Sequence, residues 1–368
     1  MNNVTNSKLR VVVFSPALNA VSGVSTHVNM LFNSRLTQKF ELLHFQVGRE
    51  GRSEGRLQRL LRFAFSPLQL AALIVRHRPR IAHINTSMDS KAFWRDLSYL
   101  IVARLLGCRV VNQIHSGSAP QSLFTNPLLT LVLKGFLLAS HVVVVLSSEA
   151  TRSYEAFDPR IALRLAPNAI DATKLMEVGP KQRSDDPQLK LVYVGRIMRS
   201  KGLLDALEAL KLLKDEKLQF CFQVAGSGPD EGAASTLIES LGLTKEVTML
   251  GPVFGDAKNK LWLDSDIQLF PTYHNEGLPY SILESLAAGC VPITCAVAAI
   301  PDVMQDGIHG LFVPAHDPPA IAAAIRRLAA NREELNRMSH AGRQRISDEY
   351  TVDHLATRFG DIYTMASS

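Results

Sequence analysis

Residues 189–202 read LKLVYVGRIMRSKG, and this stretch indicates how the chain folds. The apolar run 189–194 has the β-branched and aromatic residues of a buried strand, and Gly195 permits a tight turn before a segment of helical period. A strand, a glycine turn and a helix form the repeating unit of α/β folds. The guanidinium of Arg196 and the compact charge of Lys201 would suit a diphosphate at this turn. For such a stretch alone, solvated surface cations are the better interpretation.

The same alternation of short apolar strands and helical segments runs through the chain. Continuous apolar strands between helices predict parallel sheets covered on both faces. The pattern restarts after a predicted linker, formed by 167–171 and the polar stretch 179–190. We therefore predict an α/β protein of two Rossmann-like, doubly wound domains facing across a cleft, 1–167 and 168–350, with ligands at the carboxyl ends of the strands. The strand candidates are 10–14, 41–47, 80–85, 109–114, 142–146, 189–194, 220–225, 247–250, 267–270, 291–294 and 310–313.

Composition and charge narrow the class of protein. The 368 residues are 46% hydrophobic and 20% charged, which excludes a disordered, collagen-like or coiled-coil chain. The formal net charge of +6 is unevenly divided: residues 1–167 hold 20 Lys and Arg against 8 Asp and Glu, whereas residues 168–368 hold 20 against 26. The first half should therefore meet something anionic, either nucleic acid, a phosphorylated ligand or a membrane surface.

The cysteines and the apolar runs indicate in which cellular compartment the protein is expected. The four cysteines form no CxxC pair and lie in apolar runs, which suits a reducing compartment and excludes a disulfide scaffold. The polar start of the chain does not resemble a signal peptide. Residues 128–146 come nearest to a membrane span, but Lys134 and His141 interrupt them, which favours a helix followed by a strand. We expect a cytoplasmic protein, either soluble or peripheral on the inner face of the membrane.

The most specific local pattern is 274–279, HNEGLP, followed by Glu284. It comes directly after the strand candidate 267–270, which places Glu276 in a strand-to-helix turn and Glu284 about two turns into the helix. Gly277 permits a ligand to approach the backbone at the helix start, and the carboxylates can accept hydrogen bonds from sugar hydroxyls. The spacing of Glu276 and Glu284 alone fits two interpretations equally well. The two carboxylates either form a ligand site or are ordinary solvated residues of a helix.

Three further turns follow predicted strands. Residues 226–228, GSG, resemble a dinucleotide-binding fingerprint, but Glu231 stands where the third glycine belongs. Gly23 opens a helix after the first strand, where backbone N–H groups can meet phosphate. His115 closes the strand 109–114 and would point into the cleft, although a single histidine is more often structural.

Some chemistries are disfavoured by the motifs. The chain lacks the P-loop, zinc-protease and serine-hydrolase nucleophile motifs. Residues 264–266, DSD, match a triplet that binds metal in some sugar-nucleotide enzymes, but they fall in a loop at the entry to a strand. We therefore predict no metal site.

Together these segments resemble the retaining family 4 glycosyltransferases, enzymes of the two-domain GT-B fold. The resemblance covers nearly the whole chain. Two departures occur: the linker reads Pro-Asn-Ala at 167–169 where the family usually has Pro-Asn-Gly, and Ser22-Gly23 replaces a frequent Gly-Gly. Neither departure removes a charged group. The segments that carry the resemblance are 195–202, 226–228, Gly251, 276–284, 288–293 and 306–310.

The resemblance implies a hexosyltransferase that uses a nucleoside-diphosphate sugar, with UDP or GDP expected and no metal or other cofactor. It implies that Arg196 and Lys201 hold the donor diphosphate and that Glu284 binds the ribose. His115 and Glu276 would contact the donor sugar and complete the catalytic set with the two cations. A final helix at about 351–368 is expected to pack back onto the first domain. The implied donor-binding residues are Gly23, Gly195, Arg196, Lys201, Gly226, Val253, Glu276, Gly277, Leu278, Pro279 and Glu284.

The first half should select the acceptor. This half contains a run of arginines between residues 49 and 62, the basic run, and two explanations fit it equally well. The run is either an amphipathic helix on an anionic membrane or a solvated helix on a basic domain. The membrane explanation favours a lipid-linked acceptor, such as a polyprenyl-diphosphate sugar in bacterial cell-surface polysaccharide biosynthesis, and a free glycan is the other expectation. Nucleic acid is not expected, because the run has few base-stacking aromatics. The arginines of the run are Arg49, Arg52, Arg56, Arg59 and Arg62.

Three alternatives stay open. An NAD(P)-dependent oxidoreductase would use the same α/β folds, but the broken glycine fingerprint argues against it. A sugar-nucleotide epimerase or a glycan phosphorylase shares the two-domain fold. A non-catalytic scaffold with a glycosyltransferase-like fold is the third, although a decayed site tends to lose its charged groups first, and Arg196, Lys201, Glu276 and Glu284 are present.

Overall fold

The protein is described here by a computed structural model that covers residues 8–48, 50, 54–116, 119–179, 188–274 and 277–368. The chain divides into two compact units. The first unit holds the chain through Ala169, together with Gly277, Leu278 and Val352–Ser368, and the second unit holds the remainder from Ile170 onward. The sequence places this boundary after residue 167.

The first unit is built on a parallel six-stranded sheet in the order β2-β1-β3-β4-β5-β6. Right-handed crossovers in this order place the first helix on one face and the third to sixth helices on the other. The strands are β1 (Leu9–Ser15), β2 (Phe40–Gln46), β3 (Ile81–Thr86), β4 (Arg109–Ile114), β5 (Val142–Val145) and β6 (Leu163–Leu165). The helices are α1 (Gly23–Phe32), α2 (Leu36–Lys39), α3 (Arg56–His77), α4 (Ser90–Leu105), α5 (Pro127–Ala139) and α6 (Ser148–Phe157).

Strand β1 shows why the sheet is covered on both faces. Its successive residues Val11, Val12, Val13 and Phe14 are all fully buried, so neither face of the strand meets solvent. This is the burial expected of a continuous apolar run in a parallel sheet. On the face of α3–α5, Phe14 belongs to a core cluster with aromatic side chains such as Tyr99.

The second unit repeats this architecture, with a parallel six-stranded sheet in the order β12-β11-β10-β7-β8-β9. Neighbouring strands β7 and β10 lead in opposite directions, to β8 and β11, which makes the gap between them a topological switch point. The strands are β7 (Leu189–Val194), β8 (Phe220–Ala225), β9 (Val247–Gly251), β10 (Ile267–Phe270), β11 (Val291–Thr294) and β12 (Leu311–Phe312). The helices are α7 (Thr173–Glu177), α8 (Leu203–Asp215), α9 (Glu231–Ser240), α10 (Gly255–Asp264), α11 (Tyr280–Ala288), α12 (Ile300–Val303), α13 (Pro318–Ala330) and α14 (Arg332–Glu349).

The last helix, α15 (Val352–Ser367), belongs to the first unit. It packs against β3, β4, α1 and α2. Phe359 stacks on His83 with ring centroids 5.2 Å apart, and the Tyr363 hydroxyl lies 2.8 Å from His83 Nδ1. The helix therefore completes the core on the α1 face of the sheet.

The predicted α/β fold with two doubly wound, Rossmann-like sheets is confirmed, and each predicted strand overlaps an observed one. Strand β6 was missed, because it has three residues and carries Arg164 at its centre on the edge of the sheet. Of the 264–266 triplet, Asp266 accepts a hydrogen bond from the backbone N–H of Lys190 at 3.1 Å. Among the described residues, no helix is long and apolar enough to cross a bilayer.

Candidate active site

In the second unit, the loops that follow β7 and β8 interlock. The N–H of Gly195 donates to the carbonyl of Ala225 at 3.0 Å, and that of Ile197 donates to Ser227 at 2.9 Å. Gly226 has a φ of +146°, and a Cβ there would lie 1.9 Å from the Gly195 carbonyl oxygen. Only glycine permits this approach.

The second glycine of the GSG turn is needed for the same reason. A Cβ on Gly228 would lie 2.0 Å from the carbonyl oxygen of Ile197. Contact between the two loops therefore accounts for both glycines, without a dinucleotide pyrophosphate. With Glu231 in place of a third glycine, this geometry weighs against the oxidoreductase alternative.

Lys201 is positioned by a tight turn at the switch point. It ends the 3₁₀ turn Arg199–Lys201, and Gly202 follows with a φ of +78°. A Cβ on Gly202 would lie 2.2 Å from the carbonyl oxygen of Pro271, just after β10. Ser200 accepts the N–H of Tyr273 at 3.0 Å through its carbonyl oxygen, and its hydroxyl lies 3.0 Å from His274 Nδ1. These contacts join the segments after β7 and β10.

The positive charge of the Lys201 ammonium lies in a buried environment that disfavours it. The residue is only 9% exposed, and its Nζ lies 5.5 Å from the centroid of the Phe270 ring. Burial, and secondarily the positive charge of Arg196, lowers the pKa of the ammonium to about 8. An anion bound beside Lys201 and the exposed Arg196 would stabilise both charges, since it offsets desolvation and mutual repulsion.

Glu284 lies on α11 and is held by two donors from α10. Lys258 Nζ lies 2.7 Å from Oε1, and Trp262 Nε1 donates to Oε2 at 3.1 Å. The carboxylate side chain is 17% exposed, so it keeps access to solvent while its orientation is restrained. Each carboxylate oxygen has a further lone pair, which can accept a hydrogen bond from a vicinal diol. Val253 lies on the loop between β9 and α10, the helix that carries Lys258 and Trp262.

In the first unit, His115 follows β4 and is held by the end of β3. Its Nε2 lies 2.7 Å from Asn85 Oδ1, and Asn85 Nδ2 donates to the backbone carbonyl of Phe14 at 2.9 Å. Because the amide nitrogen of Asn85 is committed to Phe14, its oxygen faces the imidazole. This assigns the proton of a neutral His115 to Nε2.

Two buried histidines lie beside His115. His27 of α1 meets it with ring centroids 5.1 Å apart, and the Gln113 side chain also interacts with the His27 imidazole. His83 is satisfied by Tyr363 and by Gln113, whose Oε1 lies 3.1 Å from Nε2. Burial lowers the pKa of His27 to about 4 and that of His83 to about 3. Burial also holds the pKa of His115 well below its ordinary value. The three imidazoles are therefore neutral at pH 7.

The backbone of Gly277 lies against His115. A Cβ on Gly277 would lie 2.7 Å from the His115 carbonyl oxygen and 2.6 Å from Leu146 Cδ1. The next residue, Leu278, is buried, and its carbonyl accepts a hydrogen bond from Asn168 Nδ2 at 2.8 Å. Gly277 is thus required by close packing, whatever its role toward a ligand. Glu276, beside it, lies outside the described residues.

The structure groups most of the implied site residues by unit. In the second unit, four of these residues lie at the carboxyl ends of β7 and β8: Gly195, Arg196, Lys201 and Gly226. Pro279 directly precedes α11, and Glu284 lies on α11. In the first unit, Gly23 is exposed at the start of α1, whose His27 contacts His115.

Three residues that hold the implied site residues were not identified from the sequence. They are Asn85, Lys258 and Trp262. A signal existed for Asn85, because His83 and Asn85 are polar and alternate in an otherwise apolar strand, so both point to one face. Lys258 and Trp262 are spaced four apart on a helix, which places them on one face but does not reveal the partner.

The sequence of the second unit is similar to that of known glycosyltransferases. Residues 177–345 match the family model described as glycosyl transferases group 1. WcaL of Salmonella typhimurium, whose name assigns it to colanic acid biosynthesis as a glycosyltransferase, is 27% identical over 168 residues, which are 44% of this chain and 41% of WcaL. The amylovoran biosynthesis glycosyltransferase AmsK of Erwinia amylovora is 26% identical over 46% of this chain and 43% of AmsK. The matched segments thus span less than half the length of either relative.

The fold has close counterparts among solved structures. Anabaena HepE, solved in complex with UDP, superimposes with a TM-score of 0.72 at 13% identity, over 97% of this chain and 99% of HepE. At this identity the likeness concerns the fold alone. The family match covers the unit that carries Arg196, Lys201 and Glu284. Residues 177–345 are therefore similar to the glycosyl transferases of group 1, and this similarity covers a little under half of the chain.

Proposed function

We propose that this chain transfers a hexosyl unit from a nucleoside-diphosphate sugar to a glycan or lipid-linked sugar acceptor, with retention of configuration at the anomeric carbon. The observation that carries the proposal is the buried ammonium of Lys201 beside Arg196, at the switch point of the domain that matches the family. A diphosphate is the ligand that two such cations fit best, because the guanidinium can bind two oxygens and the ammonium a third.

The donor would occupy the edge of the second sheet. In this proposal Lys201 and Arg196 bind the diphosphate, Glu284 accepts hydrogen bonds from the ribose hydroxyls, and the base lies near Val253. Glu276 and the backbone of 277–279 hold the sugar hydroxyls, and His115 contacts the sugar near its reacting face. Gly23 approaches the diphosphate through the N–H groups at the start of α1. Support for a nucleotide donor comes from HepE, whose solved structure contains UDP.

The reaction breaks the bond between the anomeric carbon and the diphosphate oxygen and forms a bond from the same carbon to an acceptor oxygen. Negative charge accumulates on the departing phosphate, where Lys201 and Arg196 stabilise it more strongly than in the ground state. In a same-face transfer, the departing phosphate oxygen takes the acceptor proton. Since the cations supply this stabilisation, donor binding is expected to resist chelators.

The acceptor is proposed to belong to a cell-surface polysaccharide. WcaL and AmsK are named for the biosynthesis of colanic acid and amylovoran. Each matches this chain over less than half of its own length. The composition, with its reduced cysteines and basic first half, suits a cytoplasmic enzyme at an anionic acceptor.

A thermal-shift panel of UDP-, GDP-, ADP- and dTDP-linked sugars, with and without EDTA, tests the donor. A ligand at 100 times its Kd stabilises the fold by about 2.7 kcal/mol, which gives a clear rise in Tm. The rise should occur with one nucleotide, persist in EDTA, and disappear in Lys201→Ala. Lys211→Ala is the matched control, because Lys211 lies on α8 in the same unit and pairs with Asp215 at the surface.

Other results would redirect the assignment. A shift with NAD(P) and none with nucleotide sugars would favour the oxidoreductase, and silence with every ligand would favour the non-catalytic scaffold. Once a donor is found, the anomeric configuration of the product, read from its NMR coupling constants, tests retention. A product of inverted configuration, or a covalent sugar adduct on Glu276, would overturn the same-face transfer.

A further inference from the structure

Helix α3 carries apolar residues on two opposite faces. Ser66, Leu70 and Ile74, four residues apart, are buried against the sheet. Leu57, Leu61, Leu68 and Val75 recur at intervals of four and seven residues, which places them together on the outward face. Their exposures are 69%, 48%, 65% and 65%. A helix on the surface of a globular unit normally presents polar residues outward, so this face is suited to a partner.

The neighbouring helices extend the outward apolar surface. Helix α3 packs against α4, and α4 packs against α5, in one layer on the same face of the sheet. On α4 the exposed side chains include Trp94 and Leu105, the latter 80% exposed, and on α5 they include Leu128, 73% exposed. We call the outward side of α3, α4 and α5 the three-helix face.

The charges of the same helices select the kind of partner. Together α3, α4 and α5 contain eight Lys and Arg and a single carboxylate, Asp96. That carboxylate is buried and paired with Arg95 at 2.7 Å, so it adds no negative charge to the surface. A second copy of the chain would bring an equally cationic face, which like-charge repulsion opposes. An anionic bilayer provides both apolar depth and negative charge.

The arginine run contributes less to this surface than its sequence suggests. Arg62 is bound to Glu54 at 2.9 Å in a pair that is mostly buried, so its charge is compensated. Arg49 and Arg52 lie outside the described residues, as does the side chain of Arg56. The exposed cations described on α3 are Arg59 and Arg76. The apolar outward stripe, and not the arginine run, is therefore the main feature.

We propose that the three-helix face docks the protein on an anionic lipid bilayer, with Leu57, Leu61 and Leu68 inserted among the acyl chains and Trp94 at the headgroup level. Apolar insertion and attraction of the exposed Arg76 to lipid phosphates act together, as in other interfacial helices. Trp side chains favour this depth because the indole has both an apolar body and a polar N–H. The sheet then lies beneath a layer of helices facing the membrane.

Flotation of the full chain with lipid vesicles tests the docking. Vesicles of phosphatidylcholine mixed with phosphatidylglycerol should carry the protein to the top of the gradient, and vesicles of pure phosphatidylcholine should carry much less. Changing Leu57, Leu61 and Leu68 together to Gln should reduce binding by at least about tenfold. Changing Arg76 to Gln should reduce it by about fivefold. The matched control changes Leu165, Leu212 and Ile308 to Gln, since these are exposed apolar residues elsewhere.

Three results would overturn the proposal. They are equal binding to both kinds of vesicle, equal loss of binding in the control variant, and no binding together with a dimer mass that the triple leucine variant abolishes. The last would make the face a contact between copies. Because the substituted residues lie outside the donor site, the nucleotide-dependent Tm shift should be the same in every variant. Failure of docking and failure of the proposed transfer are thus distinguishable.

Discussion

The imidazole Nε2 of His115 lies 2.7 Å from Asn85 Oδ1, and the amide of Asn85 is itself anchored on the carbonyl of Phe14. This chain of two hydrogen bonds connects the ends of three adjacent strands and sets both the orientation and the tautomer of the histidine. Asn85 is thus a positioning residue, acting through His115.

With His115 in its proposed role, Asn85→Ala should reduce the proposed transfer by about a hundredfold, because a misplaced catalytic group loses this much rate. The more telling variant is Asn85→Asp. Its carboxylate still accepts from Nε2 but raises the pKa of His115, so activity should fall at acidic pH where the wild type stays active. Transfer rates measured across pH, with Tm as the control for folding, check this. An unchanged pH profile in Asn85→Asp would contradict the assignment.

The pKa of Lys201 makes donor affinity depend on pH. Burial lowers this pKa to about 8, and a bound diphosphate favours the charged form. Affinity for UDP should therefore be full below about pH 8 and fall by up to about tenfold per unit above it. Calorimetric Kd values from neutral to alkaline pH measure this. Lys201→Arg keeps its charge, so its profile should be flat, and a flat wild-type profile would exclude a role for the ammonium.

Substitutions of Glu284 and Lys258 should weaken nucleotide binding to different extents. Glu284→Ala removes the acceptor proposed for the ribose and should weaken UDP binding by about 1.5–3 kcal/mol, or roughly tenfold to a hundredfold. Lys258→Met removes only the restraint on the carboxylate and should cost less. Comparing UDP with 2′,3′-dideoxy-UDP separates the two, since Glu284→Ala should bind both nucleotides equally. If Glu284→Ala still preferred the ribose form, another residue would bind the diol.

Gly226 and Gly232 form a matched pair for the loop geometry. A Cβ at Gly226 meets the Gly195 carbonyl at 1.9 Å, whereas nothing lies within 4 Å of a Cβ at Gly232, in the first turn of α9. Gly226→Ala should lower Tm and abolish the nucleotide-dependent shift. Gly232→Ala should stabilise the protein by up to about 0.5 kcal/mol, because alanine favours the helix and this position lies in its first turn. Thermal unfolding of both variants checks this, and equal behaviour would contradict it.

The buried histidines predict loss of stability in acid. The folded pKa values of His27 and His83, about 4 and 3, lie below the ordinary 6.5, so the unfolded state takes up protons first as pH falls. Stability of the first unit is therefore full above about pH 6.5 and falls by up to about 1.4 kcal/mol per pH unit for each histidine toward pH 4.

His27→Leu tests this, since it removes one of the buried imidazoles. It should lower the pH slope of the unfolding free energy by the share of one histidine, up to about 1.4 kcal/mol per pH unit, while His340→Leu at the surface should leave the slope unchanged. A Trp262→Phe background leaves Trp94 as the fluorescent probe of the first unit. An undiminished slope in His27→Leu would show that other groups control acid unfolding.

Much of the fold could be predicted because its signals are local. Valine-rich runs such as 142–146 and glycine turns such as Gly195 mark strands and their ends without reference to the rest of the chain. What the sequence could not show depends on tertiary pairing. Lys258 and Glu284 are on separate helices, and Asn85 and His115 are on separate strands, so only the packing of these elements brings the side chains together. The roles of the donor-binding residues stay predictions, and Glu276 lies outside the described residues.

The return of α15 to the first unit has a consequence for biosynthesis. Apart from Gly277 and Leu278, the chain leaves the first unit after Ala169 and re-enters it at Val352, so the second unit is an insertion in the order of translation. At roughly 5–20 residues per second, the ribosome needs roughly 10–40 s to make the intervening segment. During that time the nascent first unit lacks Phe359 and Tyr363, and the face of β3 and β4 that they cover stays open. Until the last helix emerges, this face of the sheet is therefore exposed to solvent and to other chains.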